Sequence, residues 1–302
     1  MTVQTLNIAG DGDDAFRGLG LIQAPGFYPA VTPAGYFAEP CPEPALTNSG
    51  IGTLLKYCPA KFAYQHPAIG QPADEREDTR ARYMGSLVHR LALDKGDDYA
   101  ISPYDEYRSK EAKAWRDGII ASGVIPVKQA DYDEALAMAN VIRASIMSAC
   151  EGHPYETEVV VAWKRRNRWC RLMLDVWCEP LMLGLDAKTI ASADDLSIDR
   201  AFASYYGRQD AWYLEGIEAA TGNTGRGRFK FLFVEKEAPW LDRLGESTEA
   251  MRHGCRLEIE RAFATFDACM TAGKWPGYAP RQAFPTSWQL REWAEAELQE
   301  AA

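Results

Sequence analysis

Between Glu156 and Thr189 the apolar residues fall into three short runs rich in β-branched and aromatic types. Val159, Val160, Val161 and Trp163 predict one strand, and Trp169, Leu172, Leu174, Val176 and Trp177 a second. Leu183 to Thr189 predict a third, and turn residues bound all three. Elsewhere the apolar spacing is helical. Met84, Leu87, Val88 and Leu91 predict an amphipathic helix over 84–93. Two more helices are expected over 105–122 and 131–150, the second with its stripe on Tyr132, Leu136, Met138, Ala139, Ile142 and Ile146. Asp199 to Ala220 and Glu249 to Thr271 read as further helices, and 229–235 as a buried strand because it is almost wholly apolar. An acidic helix is expected from about Ser287. Residues 1–47, rich in Gly, Pro and acids and without periodicity, are expected to form a loosely structured arm. Thr47-Asn48-Ser49 is a helix N-cap run that opens the ordered part, taken as one domain over 48–302. Its motifs lie in 84–240, with a C-terminal helical extension over 241–302.

Positional arithmetic along the three strands gives chemistry. A hairpin centred on Arg166–Asn167 sets Glu158 opposite Asp175, and a second turn centred on Pro180–Leu181 sets Asp175 opposite Asp186. Cross-strand partners share a face roughly 5 Å apart, so the three acids form a row. Lys188 joins Asp186 because side chains repeat every second residue. Such a row is costly unless a cation binds there. Mg²⁺ suits it as a hard ion that prefers oxygen ligands and keeps waters. Asp175 and Asp186 supply two ligands, the Ala187 backbone carbonyl a third and His89, beside the 84–93 stripe, a nitrogen. The lysine could act on a metal-bound water or stabilise charge developing at phosphorus. A lone Asp-x-Lys is common by chance; the in-register acids give this one its weight.

Composition adds little against this reading. No run approaches the ~20 apolar residues of a membrane span, the first residues do not resemble a secretory signal, and seven scattered cysteines do not form a disulfide framework. A cytoplasmic protein with reduced thiols is expected. The net charge of −10 argues mildly against a nucleic-acid partner, but whole-chain charge does not fix a local groove. Lys164, Arg165, Arg166 and Arg168 form a basic turn, the candidate contact for a DNA backbone, and 226–230 (RGRFK) is a second basic patch. Either could equally be a solvated turn.

In order along the chain, GSLVHRLAL, LMLDVW, LDAKT and QDAWY resemble the successive motifs of PD-(D/E)XK nucleases, in particular the RecB/RecE-like exonuclease branch. NSGIGTLLKYCPAKF is similar to the opening of such domains, and the resemblance covers about 47–240. It implies an α/β (α+β) fold with a central mixed sheet of four or five strands flanked by helices, the meander carrying the site. It implies that His89, Asp175 and Asp186 ligate metal and that Lys188 is the catalytic lysine. Gln209 and Tyr213, four apart on one helical face, would support the site and its DNA contacts. Glu158 would be an auxiliary acid, with Glu156 its competitor.

The activity implied is a Mg²⁺-dependent deoxyribonuclease, with Mn²⁺ able to substitute. It would be a 5′→3′ exonuclease acting on double-stranded DNA ends and leaving 3′ single-stranded tails for recombination. The resemblance also implies a ring-shaped homo-oligomer and a phage-type single-strand annealing partner. Alternatives are an endonuclease or single-strand nuclease of the same fold, or a non-catalytic DNA-binding phage protein. Some relatives bind an iron–sulfur cluster through one early and three clustered late cysteines. Here Cys58 could be the early one, but Cys255 and Cys269 are isolated, so no cluster is expected. No G-x-x-x-x-G-K-[ST] motif is present.

Overall fold

The computed structural model describes residues 21–70 and 80–279. A short strand β1 (Gly26–Tyr28) is followed by α1 (Pro33–Phe37), α2 (Asn48–Lys56), α3 (Pro59–Gln65) and α4 (Arg80–Leu93). Next come β2 (Tyr99–Ile101), α5 (Lys110–Ala121), β3 (Ile125–Val127) and the long α6 (Gln129–Ala149). The meander is β4 (Glu156–Arg165), β5 (Arg168–Cys178) and β6 (Leu183–Ile190). Then α7 (Asp195–Ala201), a π-helical turn (Phe202–Tyr206) and α8 (Gly207–Thr221) lead into β7 (Arg228–Glu235), β8 (Asp242–Gly245) and α9 (Glu249–Ala272). The acidic helix expected from Ser287 lies outside the described residues.

The main sheet has six strands in the order β1-β4-β5-β6-β7-β8, and β2 and β3 form a separate parallel pair. The fold is mixed α/β: β6 and β7 run parallel and the other main-sheet neighbours antiparallel. A parallel pair needs a long crossover, which α7 and α8 supply. Leu172, Leu174, Phe229, Phe231 and Phe233 pack on α8 and α9, with Ile51, Leu54 and Phe62 of α2 and α3 closing that layer. Val176, Leu183, Leu185, Leu232 and Val234 pack on α4 and α6.

Both predicted registers hold. Val159 faces Leu174 and Thr157 faces Val176, so Glu158 and Asp175 are level. Arg166 and Asn167 both have positive φ (46° and 69°), the backbone a two-residue hairpin needs to follow the strand twist. Val176 faces Leu185, which makes Asp175 level with Asp186.

The loose arm is a correction for the described part of 1–47. β1 adds an edge strand beside β4, pairing Phe27 with Val161. Ile22, Tyr28, Val31, Cys41 and Ala45 cover Val160, Ala162 and Trp169, the part of the sheet face beyond α4 and α6. Glu39, fully buried, accepts from Arg171 Nε and Nη2 at 3.0 Å each. Apolar residues spaced irregularly along an extended segment leave no period to read, which is why this layer was invisible in the sequence. The sheet also exceeds the expected four or five strands, because β1 and β8 are only three and four residues long. β8 lies where a purely helical extension was expected.

Candidate active site

The β5–β6 ladder ends at Val176 and Leu185, while β6 continues beside β7 as far as Ile190. The two strands therefore fork, and the vacated edge of β5 is taken by Leu46, which bonds both Trp169 O and Arg171 N. Asp175 sits at the base of the fork on β5, and Asp186, Ala187 and Lys188 follow one another along β6. Just past the last backbone pair, Asp175 Oδ2 accepts the Ala187 N–H at 2.7 Å, so a carboxylate continues where the ladder stops.

Opposite, Glu158 interrupts β4 with a left-handed backbone (φ 50°), a strained position for a residue with a side chain. The break changes the facing of the strand pair. Leu174 packs on the α8 layer, yet Val176, two residues on, packs on the α4–α6 layer. Regular alternation would keep both on one face.

The helices complete the site. His89 on α4 places Nε2 3.1 Å from Ala187 O and 3.7 Å from Asp175 Oδ2. Gln209 on α8 donates from Nε2 to Asp186 Oδ1 at 3.1 Å, and Lys188 Nζ ion-pairs with Asp186 Oδ2. Tyr213, one turn after Gln209, packs on Phe229 with ring centroids 4.9 Å apart. Burial pushes its hydroxyl well above the ordinary tyrosine value, and the charges of Asp186 and Asp175 add to the effect. Glu158 is buried beside Asp175 while Glu156 is exposed, so of these two acids Glu158 is the one the fold brings to the row.

Burial and mutual repulsion act on the acids of the fork. Burial raises the Asp186 carboxyl to about 6, with the Lys188 charge opposing and the Asp175 charge reinforcing. Burial and the Asp175 charge likewise raise Glu158. Burial alone would lower the Lys188 ammonium, but the charges of Asp186 and Asp175 outweigh it and hold it above the ordinary lysine value. Glu158 Oε2 and Asp186 Oδ2 are buried without a hydrogen-bond donor, the second facing only the Lys188 ion pair. Among the described residues no three His, Cys, Asp or Glu side chains gather tightly enough to hold an ion by themselves. The converging donors here include a main-chain oxygen, Ala187 O, beside His89 Nε2 and Asp175 Oδ2. Together with Asp186 they make an oxygen-rich set that fits a hard divalent ion.

The basic turn does not join this site. Arg165 ion-pairs with Glu215 and Glu260, Arg166 with Glu260 and Arg168 with Asp267, and Lys164 lies over the Trp169 ring. It also stands seven residues along β4 from Glu158, about 23 Å at the usual strand rise. The turn was expected to contact a DNA backbone; the structure places it away from the fork, with its three arginines paired to acids of α8 and α9. Sequence reasoning missed Tyr206, whose hydroxyl, raised by burial, feels both Lys188 and Asp186. It also missed the Asp175–Ala187 bond. The Tyr206 ring itself packs on Phe231 and Phe233.

Residues 48–283 match the family described as a PDDEXK-like domain of unknown function (DUF3799). That is most of the chain, and the protein belongs to this family of PD-(D/E)XK nuclease-like domains. No curated protein matches it. Among solved structures it is similar to a protein from Eubacterium rectale named "Putative exonuclease", with TM-score 0.51 and 14% identity over 81% of this chain and 91% of that one. The likeness is one of fold. The structure of SSO0001 aligns at TM-score 0.25 and 12% identity over 63% of this chain and 88% of that one, too little to bear on the fold.

Proposed function

We propose that the protein is a Mg²⁺-dependent deoxyribonuclease, with Mn²⁺ able to substitute, that degrades linear double-stranded DNA from its ends. The observation that carries this reading is the fork itself. His89 lies near both Ala187 O and Asp175, Asp175 bonds the Ala187 N–H, and Lys188 pairs with Asp186 on the same strand. A divalent ion bound there supplies Lewis acidity towards a phosphoryl oxygen and lowers the pKa of a coordinated water. His89, Asp175, Asp186 and Ala187 O would hold it, with Glu158 as an auxiliary acid.

The protein's own groups divide the remaining work. Asp175 anchors the Asp186–Ala187 peptide through the N–H it accepts and so holds this part of β6 at the fork. Gln209 ties one Asp186 oxygen and leaves the other towards the fork. Lys188, with its pKa raised, stays an ammonium at neutral pH. It would serve as a fixed positive charge for the phosphate as negative charge grows.

The 5′→3′ direction, the 3′ tails, a ring-shaped homo-oligomer and an annealing partner are further parts of the proposal and rest on the resemblance to the RecE-like branch. A cytoplasmic setting is proposed as well; the structural fact is that no helix among the described residues is long and apolar enough to cross a membrane. The test is degradation of linear against closed circular duplex DNA with Mg²⁺ or EDTA, with label at either end and Lys188→Ala alongside. Mg²⁺-dependent loss of linear DNA alone, abolished in the variant, is expected, and the label order gives the direction. Cutting of circles would replace the exonuclease reading with an endonuclease. Inertness of the wild type on every DNA would end the nuclease reading.

A further inference from the structure

Several arginines of the fold are neutralised by its own acids: Arg165, Arg166, Arg168, Arg171 and Arg252 each face a carboxylate. Arg208 does not. It directly precedes the site residue Gln209 and is only partly exposed. Among the described residues no carboxylate ion-pairs with it. Its guanidinium is held by neutral groups instead. Nε donates to Asn48 Oδ1 at 3.2 Å, and the plane lies over the Tyr205 ring, 5.6 Å from its centroid. A Cβ on Gly52 of α2 would come within 3.0 Å of Nη2, so a side chain there would press on the guanidinium. In a chain of net charge −10, a cation positioned by an amide, an aromatic ring and a glycine is kept free for an anion from outside.

Tyr205 has the complementary property. It lies in the π-helical turn between α7 and α8, a distortion often found at functional sites. Its neighbour Tyr206 is anchored on Phe231 and Phe233 and interacts electrostatically with Lys188 and Asp186. Tyr205 packs edge-on against Tyr206 at 5.6 Å and is 43% exposed, so an open aromatic ring stands one residue from the fork. A ring and a guanidinium side by side match the two faces of a nucleotide, its base and its backbone phosphate.

We infer that Arg208 and Tyr205 form a platform for the DNA strand entering the fork, Arg208 taking a backbone phosphate and Tyr205 stacking on a neighbouring unpaired base. This rests on the nuclease reading and deepens it: the strand crosses the α7–α8 turn beside α2, not the basic hairpin. Neither residue is assigned to the bond-breaking chemistry.

The experiment uses the full chain made cleavage-deficient by Lys188→Ala, with Mg²⁺ and a single-stranded oligonucleotide carrying 2-aminopurine near its end. Arg208→Gln keeps a group able to bond Asn48 and removes the charge. It should weaken binding and lower the magnitude of the salt dependence by about one phosphate contact. Tyr205→Ala should weaken binding about 5- to 100-fold and abolish the stacking-induced quench of 2-aminopurine, whereas Tyr205→Phe keeps both. In the otherwise wild-type enzyme the losses fall on KM more than on kcat, and Arg208→Lys restores the salt dependence. Thermal melting confirms that each variant is folded. Unchanged affinity, salt slope and quench in Arg208→Gln and Tyr205→Ala, with the parent binding DNA, would overturn the platform and leave the nuclease reading standing. A parent protein that neither binds nor cuts DNA would overturn both.

Discussion

Asp175 accepts the Ala187 N–H at 2.7 Å, just beyond the last backbone pair between their strands, Val176 with Leu185. One acid thus has two jobs: it closes the base of the fork and it presents charge. Substitutions can separate these. Asp175→Asn retains an oxygen that accepts the N–H, so its melting temperature should stay within a few degrees of wild type while cleavage is lost. Asp175→Ala strands the buried Ala187 N–H and should cost about 1–3 kcal/mol in addition. Equal stability of the two variants in denaturant titration would show that the bond contributes nothing to the fork.

Arg165 illustrates how a basic run can belong to the fold rather than to a ligand. Its guanidinium joins Glu215 of α8 and Glu260 of α9 and is 19% exposed, with its Cζ 5.1 Å from the Phe263 centroid. Arg165→Ala should destabilise the protein by about 1–3 kcal/mol, the range for hydrogen bonds to charged groups. DNA affinity and its salt slope should not change. A weaker salt slope at unchanged stability would restore the hairpin as a DNA contact.

These cases show what a linear sequence conveys about the fold. The strands, their registers and the Glu158–Asp175–Asp186 row were legible, because turn position and period 2 determine facing. The helices bearing His89 and Gln209 were legible, the first from its amphipathic stripe. The fork was not: the chain that takes the vacated edge of β5, at Leu46, comes from a segment with no period. The fate of Lys164, Arg165, Arg166 and Arg168 was hidden for a similar reason. The partners of the three arginines lie about 50 to 100 residues later, on helices whose rotation the sequence does not specify. Charge density reveals a cation; only the fold shows whether its counter-ion is internal.

Glu39 gives a pH signature. Burial works against its carboxylate, but the His66 hydrogen bond and the charge and hydrogen bonds of Arg171 outweigh it and lower the pKa below the ordinary 4.5. A lowered folded-state value means stability that is fully present above the unfolded-state pKa and lost as pH falls through the folded one. Glu39→Gln leaves Arg171, 4% exposed, without its counter-charge and should cost about 3–5 kcal/mol at pH 7. The deficit relative to wild type should shrink as the pH is lowered below about 4. Urea titrations at pH 7 and in steps towards pH 3 measure it; a deficit independent of pH would show that the cost is steric.

Gly216 sets the distance between α8 and the sheet. A Cβ there would lie 2.6 Å from Leu172 Cδ2 and 2.8 Å from Trp163 Cζ3, both side chains almost wholly buried. Alanine favours a helix over glycine by about 1 kcal/mol, but overpacking costs about 1–3 kcal/mol, so Gly216→Ala should be neutral to destabilising. The clash also pushes α8 away from the sheet, and Gln209 rides on the same helix, two turns earlier. Its 3.1 Å bond to Asp186 should lengthen, so cleavage should fall even where stability barely changes. Gly85 on α4 is the control: its added Cβ would meet nothing within 4 Å, and Gly85→Ala should raise the melting temperature and leave cleavage intact. If Gly216→Ala behaves like Gly85→Ala in both melting and turnover, the close approach of α8 is not what holds Gln209 on Asp186.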